Sequence, residues 1–84
     1  MKYCLITFRS VTFAQRGEAV LKKEGISAVL GRTPAELAHR GCGYSLRLRL
    51  TDGPQAAFFL RQEEVPFEKV YAVNSSGRPE ELQL

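Results

Sequence analysis

Two thiols, Cys4 and Cys42, are the side chains in this chain best suited to nucleophilic chemistry. Cys42 stands between Gly41 and Gly43, just after His39 and Arg40. Flanking glycines remove side-chain bulk on both sides, which lets a sulfur and its neighbouring backbone N–H groups be exposed together. The thiolate rather than the thiol attacks, so the charges around Cys42 matter. Cys4 lies in an apolar run and reads as a small buried hydrophobe. The spacing His39-x-x-Cys42 invites a metal, but Cys42, His39 and the distant Cys4 are too few to close a zinc site. No metal and no cofactor are expected. No catalytic triad, phosphate-binding loop or dinucleotide fingerprint is present.

The elements that must position Cys42 follow from patterning. Residues 2–8, KYCLITF, are β-branched, aromatic and apolar, and read as a central strand. Thr12 with Gln15 three residues on has the form of a capping box, opening a helix to about Glu24. Phe13, Gly17, Val20 and Leu21 fall on its inward face, and Gly25 supplies the left-handed stop. Ile26 to Leu30 is a short second strand. Thr33-Pro34-Ala-Glu36 repeats the capping logic and predicts a helical turn or two, from Pro34 to Arg40. Residues 44–50, YSLRLRL, alternate strictly, with Leu46, Leu48 and Leu50 toward a core and Ser45, Arg47 and Arg49 on a polar face. A second helix follows Pro54 and is expected to stop at Val65-Pro66. Phe67 to Val73 is the last strand, and residues 74–84 read as a polar tail on a single domain of residues 1–73.

The order β-α-β-β-α-β predicts an α+β fold of the ferredoxin-like split type. It has a four-stranded antiparallel sheet ordered 4-1-3-2, two helices on one face, and a short helical insert before the third strand. In that topology Cys4 pairs near Leu50 and Cys42 sits near Phe8. The two thiols are then on the order of 13 Å apart, whereas a disulfide needs Cα atoms within roughly 7 Å. Arg9, Ser10, Thr12 and the positive end of the first helix fall at the sheet edge that holds Cys42. A helix N-terminus stabilises an anion by roughly 0.3–1 kcal/mol. A one-unit drop in pKa from ~8.5 raises the thiolate from roughly 3% to about 24% at pH 7. The negative end of the insert's helical turn opposes that drop, and the sequence leaves the balance open.

Composition narrows the rest. With 84 residues, 44% hydrophobic and 25% charged, the chain is a single small globular unit rather than a disordered one. So short a domain has no room for a large internal cavity, which places any site in a surface notch or between copies. Lys2 and Arg9 bracket an apolar stretch too short for a secretory or membrane segment, so a cytoplasmic chain with free thiols is expected and no membrane partner. The net charge of +3 gathers in Arg32, Arg40, Arg47 and Arg49. Nucleic acid is not the expected partner, because the third strand carries arginines where base-stacking rings would be needed.

The strand KYCLITF, the Ser/Thr-started helix after it, Thr33-Pro34, and Cys42-Gly43 leading into a Leu/Arg strand together resemble the small bacterial selenium/sulfur (Se/S) carrier-like family. The resemblance covers about Lys2 to Val73. It implies that Cys42 carries sulfur or selenium as a persulfide or selenopersulfide between donor and acceptor proteins. Gly43 would leave space beside the sulfur, and Pro34 would shape the loop. Such a protein is a carrier rather than a turnover enzyme. The alternative is a non-catalytic binding or homodimerisation module using a basic open sheet face of Arg47, Arg49, Lys69, Tyr71 and Tyr3.

Overall fold

The computed structural model describes residues 2–37 and 43–84. Strands β1 (Tyr3–Phe8), β2 (Ala28–Arg32), β3 (Tyr44–Arg49), β4 (Val70–Val73) and β5 (Pro79–Leu82) form one sheet in the order β2-β3-β1-β4-β5. Every pairing is antiparallel. The helices are α1 (Val11–Lys23) and α2 (Gly53–Gln62), with short 3-10 turns at Ala35–Leu37 and Leu50–Asp52. The first four strands take the expected order, but the sheet has five strands and not four.

β1 lies at the centre, and its even-numbered side chains Cys4, Ile6 and Phe8 are wholly buried. They join Leu46 and Leu48 from β3, Val70 from β4, Ala14 and Leu21 from α1, and Ala56 and Leu60 from α2 in one core. Each large apolar side chain buried there contributes roughly 1.5–3 kcal/mol. Exposed ion pairs such as Lys23–Glu63 at 3.8 Å add at most about 1 kcal/mol, so the core decides the fold. Gly17 sets how close α1 comes to the sheet. A Cβ there would lie 3.0 Å from Phe8 Cζ.

Helix boundaries moved where side chains found better uses than the sequence suggested. Ser10, not Thr12, caps α1: its backbone is extended and its Oγ accepts from the Phe13 amide at 3.2 Å. Phe13 therefore holds the third helical position, and there is no reciprocal capping box. Both helices end in the same motif. After α1, Gly25 has φ +80°, its amide donates to Lys22, and the Ile26 amide donates to the Leu21 carbonyl at 2.8 Å. Ile26 then packs in the core as part of the helix stop, which is why β2 starts at Ala28 and not at residue 26. After α2, Glu64 takes the left-handed position at φ 57°, and the Val65 amide donates to Leu60 at 2.9 Å. This ends α2 at Gln62, before Val65-Pro66.

Thr7 shortens the last expected strand. Its amide donates to Lys69 and its carbonyl accepts from Glu68, at 2.9 and 2.8 Å. Two residues oppose one, a bulge, and regular pairing begins only at Val70. Residues 79–82, expected in a loose tail, pair with β4 instead. A tight turn makes this possible. Asn74 Oδ1 accepts from the Ser76 and Arg78 amides, and Gly77 supplies φ +83°.

Replacing Ser10 with alanine should cost about 1 kcal/mol in urea unfolding, and Thr12→Ala well under half of that. Glu64→Gly should stabilise the protein by roughly 0.5–1 kcal/mol by relieving the left-handed backbone. Equal losses at Ser10 and Thr12, or a destabilised Glu64→Gly, would contradict these helix ends.

Candidate functional site

Cys42 and Gly41 lie outside the described residues, as do His39 and Arg40 of the same segment. Both flanks of that segment are placed. The Thr33 amide donates to the Gly43 carbonyl at 3.0 Å, extending the β2–β3 ladder one step beyond the Arg32–Tyr44 pair. Tyr44 also pairs with Phe8 of β1, so Gly43 lies at the end of the sheet where β1 runs out toward α1.

That end gathers several of the residues singled out from sequence. Ser10 is there as the α1 cap, half-buried, and no acidic residue in the first turn offsets the helix's positive end. Arg9 is exposed, with its guanidinium 3.7 Å from Glu68. Thr12 is exposed on the first turn of α1 and makes no cap. Pro34 is half-buried and leads into the Ala35–Leu37 turn. Beside Gly43, the Arg32 guanidinium lies over the Tyr44 ring, 5.4 Å from its centroid. Arg9, Ser10, Pro34 and Gly43 therefore come to one end of the sheet, as the topology required.

Two features were not foreseen. The first is Leu37, which is buried on the sheet face opposite the helices with Leu5 and Val73, flanked by Tyr3 and Tyr71. The face expected to be open and polar therefore carries a second apolar cluster. Ser45 and Thr7 on the same face are buried too. The cations expected there are engaged: Arg47 stacks 4.0 Å from the Tyr3 centroid, Arg49 meets Asp52 at 3.3 Å, and Lys69 meets Glu81 at 3.2 Å. The signal for the cluster was present in odd-numbered Leu5, Val73 and Leu37, but the dominant Leu46-Leu48 alternation masked it.

The second feature is Thr33. Its hydroxyl is buried without a hydrogen-bond partner among the described residues. A Thr-Pro pair before a helical turn ordinarily puts that hydroxyl to work as a cap, and here it does not serve as one.

Cys4 is a free thiol with no solvent exposure. It pairs with Leu48, two residues earlier on β3 than the Leu50 expected from sequence, because Leu50 turns into the 3-10 segment. Gly53, the first residue of α2, sits directly over it, so that a Cβ there would lie 3.1 Å from Cys4 Sγ. Burial pushes the thiol from 9.0 up to about 11, because the anion would lose its hydration. Among the described residues, no cluster of His, Cys, Asp and Glu could hold a metal ion. No helix among them is long and apolar enough to cross a membrane.

The family described as Putative Se/S carrier protein-like matches the chain over residues 3–72. No curated protein matches it.

The Cys4 thiol should resist iodoacetamide in the native protein and react fully in urea. Its folded pKa is raised, so its contribution to stability is complete below pH 9 and is lost as pH climbs toward about 11. Cys4→Ala should flatten the alkaline fall in stability by about 1–2 kcal/mol across that window relative to the unmutated protein. An unchanged slope would show that Cys4 does not titrate differently on folding.

Proposed function

This chain belongs to the Se/S carrier protein-like family, and from that membership we propose that it carries sulfur or selenium on the Cys42 thiol. The observation that carries this reading is the state of the other cysteine. The family match spans both thiols, and Cys4 is sealed beneath α2 and held protonated. Thiol chemistry in this chain therefore falls to Cys42.

The step needs no cofactor. The Cys42 thiolate attacks the outer sulfur of a donor persulfide, R–S–SH. A new S–S bond forms on Cys42, the donor's S–S bond breaks, and its electron pair leaves with the donor thiolate R–S⁻. Nothing is oxidised or reduced overall, and the proton stays on the transferred sulfur or passes to solvent. A second thiolate on an acceptor repeats the exchange in reverse. With selenium as the outer atom the bookkeeping is the same. Donor and acceptor proteins are thus the partners, and a reducing compartment such as the cytoplasm suits free thiols.

The scaffold fits this role. We read the fold as the ferredoxin-like split arrangement with a fifth strand added beyond β4. Its topology sets Gly43, the residue after Cys42 in sequence, at the same sheet end as the N-terminus of α1, whose first turn holds no acidic residue. A positive helix end favours the thiolate over the thiol. The alternative of a binding or dimerisation module has less to stand on. Leu37 packs on the face it needs, and Arg49 and Lys69 of that face are each matched by a carboxylate.

Incubation with a cysteine desulfurase and free cysteine should add about 32 Da to Cys42 in intact-mass analysis, reversed by reductant. Cys42→Ser should abolish the gain and Cys4→Ala should leave it unchanged. A Cys42 that resists alkylation in the native state, or a gain that survives Cys42→Ser, would sink the proposal.

A further inference from the structure

We propose that the outer edge of β2 pairs with the same edge of a second copy of this chain, antiparallel about a two-fold axis at Leu30, so that two sheets become one. β2 ends the sheet order, with β3 on one side only. The bond from the Thr33 amide to the Gly43 carbonyl fixes which way the strand's polar groups point. Thr33, Gly31 and Val29 are turned toward β3, so the amides and carbonyls of Ala28, Leu30 and Arg32 point outward.

The two edges of the sheet are built differently. An unpaired strand edge is a template for another strand, and proteins ordinarily blunt it with proline and charge. β5 is blunted in this way: Pro79 has no amide hydrogen, and Glu80 and Glu81 are exposed beside it. β2 holds no proline and no charge before its last residue, Arg32, and it carries Val29 at 65% exposure. Neither feature stabilises a lone chain.

What fits this edge is the edge itself. An axis at Leu30 sets Ala28 opposite Arg32 of the second copy and Leu30 opposite its counterpart, so every outward amide and carbonyl of β2 is bonded. An axis at any other residue of β2 leaves some of them unpaired. On the sheet face away from the helices, Val29 falls opposite Gly31 of the second copy, in the closer kind of antiparallel pair. A Cβ at Gly31 would meet nothing within 4 Å, so the valine enters open space. On the helix side, the half-buried Leu30 side chains meet across the axis. There Arg32 of the second copy comes beside Ala28, where Glu18 of α1 borders the same hollow. Lys22 borders it too, but is exposed to solvent. Arg32 gives up an exposed stacking on Tyr44, at 5.4 Å, to meet that carboxylate. Large against small and cation against carboxylate repeat on both sides of the axis, as an isologous interface requires. The interface uses the sheet's edge and not the face that Leu37 covers, and it is independent of the carrier reading.

Sedimentation velocity of the reduced protein, from about 1 µM to about 1 mM, should show a monomer–dimer equilibrium. Val29→Lys should weaken the dimer about tenfold or more, and should leave the melting temperature of the monomer unchanged because the side chain is exposed. Arg32→Glu should weaken it as well, and Glu18→Arg added to Arg32→Glu should restore it by exchanging the two charges. Amide hydrogen exchange on the unmutated chain gives a second readout. Exchange at Ala28, Leu30 and Arg32 should slow as concentration rises, while exchange at Val29 and Gly31 stays constant. A protein that is monomeric at the top of that range overturns the proposal. So does a dimer that Val29→Lys leaves intact, or one whose formation does not slow the Ala28, Leu30 and Arg32 amides. An assembly that keeps growing with concentration overturns it too, because a two-fold interface closes at two copies. If Val29→Lys does not fold, the alternation in exchange decides by itself.

Discussion

The wholly buried side of β1 is the constraint from which the rest of the structure follows. Cys4, Ile6 and Phe8 are sealed between the sheet and both helices, while the strand's backbone is paired on both edges, to β3 and to β4. A strand held this way admits no slip, because moving it by one residue would turn Cys4, Ile6 and Phe8 out of the core and bring Tyr3, Leu5 and Thr7 in. That register fixes Phe8 opposite Tyr44, and so sets where β3 begins. It also fixes where β1 ends and α1 starts. Gly43 joins the sheet at the end where α1 begins because the same strand governs both.

The two cysteines show how one residue type takes opposite roles within a single small domain. Cys4 is used for its shape. Gly53 rests on its sulfur so that α2 can begin there, and the same burial that seats the helix suppresses ionisation. The fold thus removes one thiol from chemistry by packing it. Cys42 belongs to the segment between Leu37 and Gly43, both of which are anchored, one on the apolar patch with Leu5 and Val73 and one on the β2–β3 ladder. The second apolar cluster thereby ties the connection between β2 and β3 to the sheet face that the helices leave uncovered.

Stability in so short a chain depends on economical ends. Both helices stop through the same pair of backward hydrogen bonds, with Ile26 and Val65 each returning to the core just after the last turn. β5 does similar work at the sheet edge. It pairs with β4, Leu82 packs against the main core, and Arg61 of α2 donates to the Leu84 carbonyl. The family match ends at residue 72, so this last strand is an addition to the matched region.

Much of the fold was legible because it is written in local periodicity. Alternating leucines declare β3, the apolar run declares β1, and Gly25 and Pro54 punctuate α1 and α2. From these the order of the first four strands followed, as did the sheet end that receives Gly43. The type and neighbours of Cys42 marked it as the candidate thiol without any coordinates. What the sequence could not declare were choices made between competing partners. Ser10 won the α1 cap from Thr12, Ile26 went to a helix stop rather than a strand, and the polar segment after Val73 found a paired edge. Leu37 was equally silent, since a lone leucine in a loop has no period to read, and Thr33, read as a cap, is buried without serving as one. Their placement depends on surfaces assembled from β1, β3 and β4, which exist only once residues far apart in the chain have met.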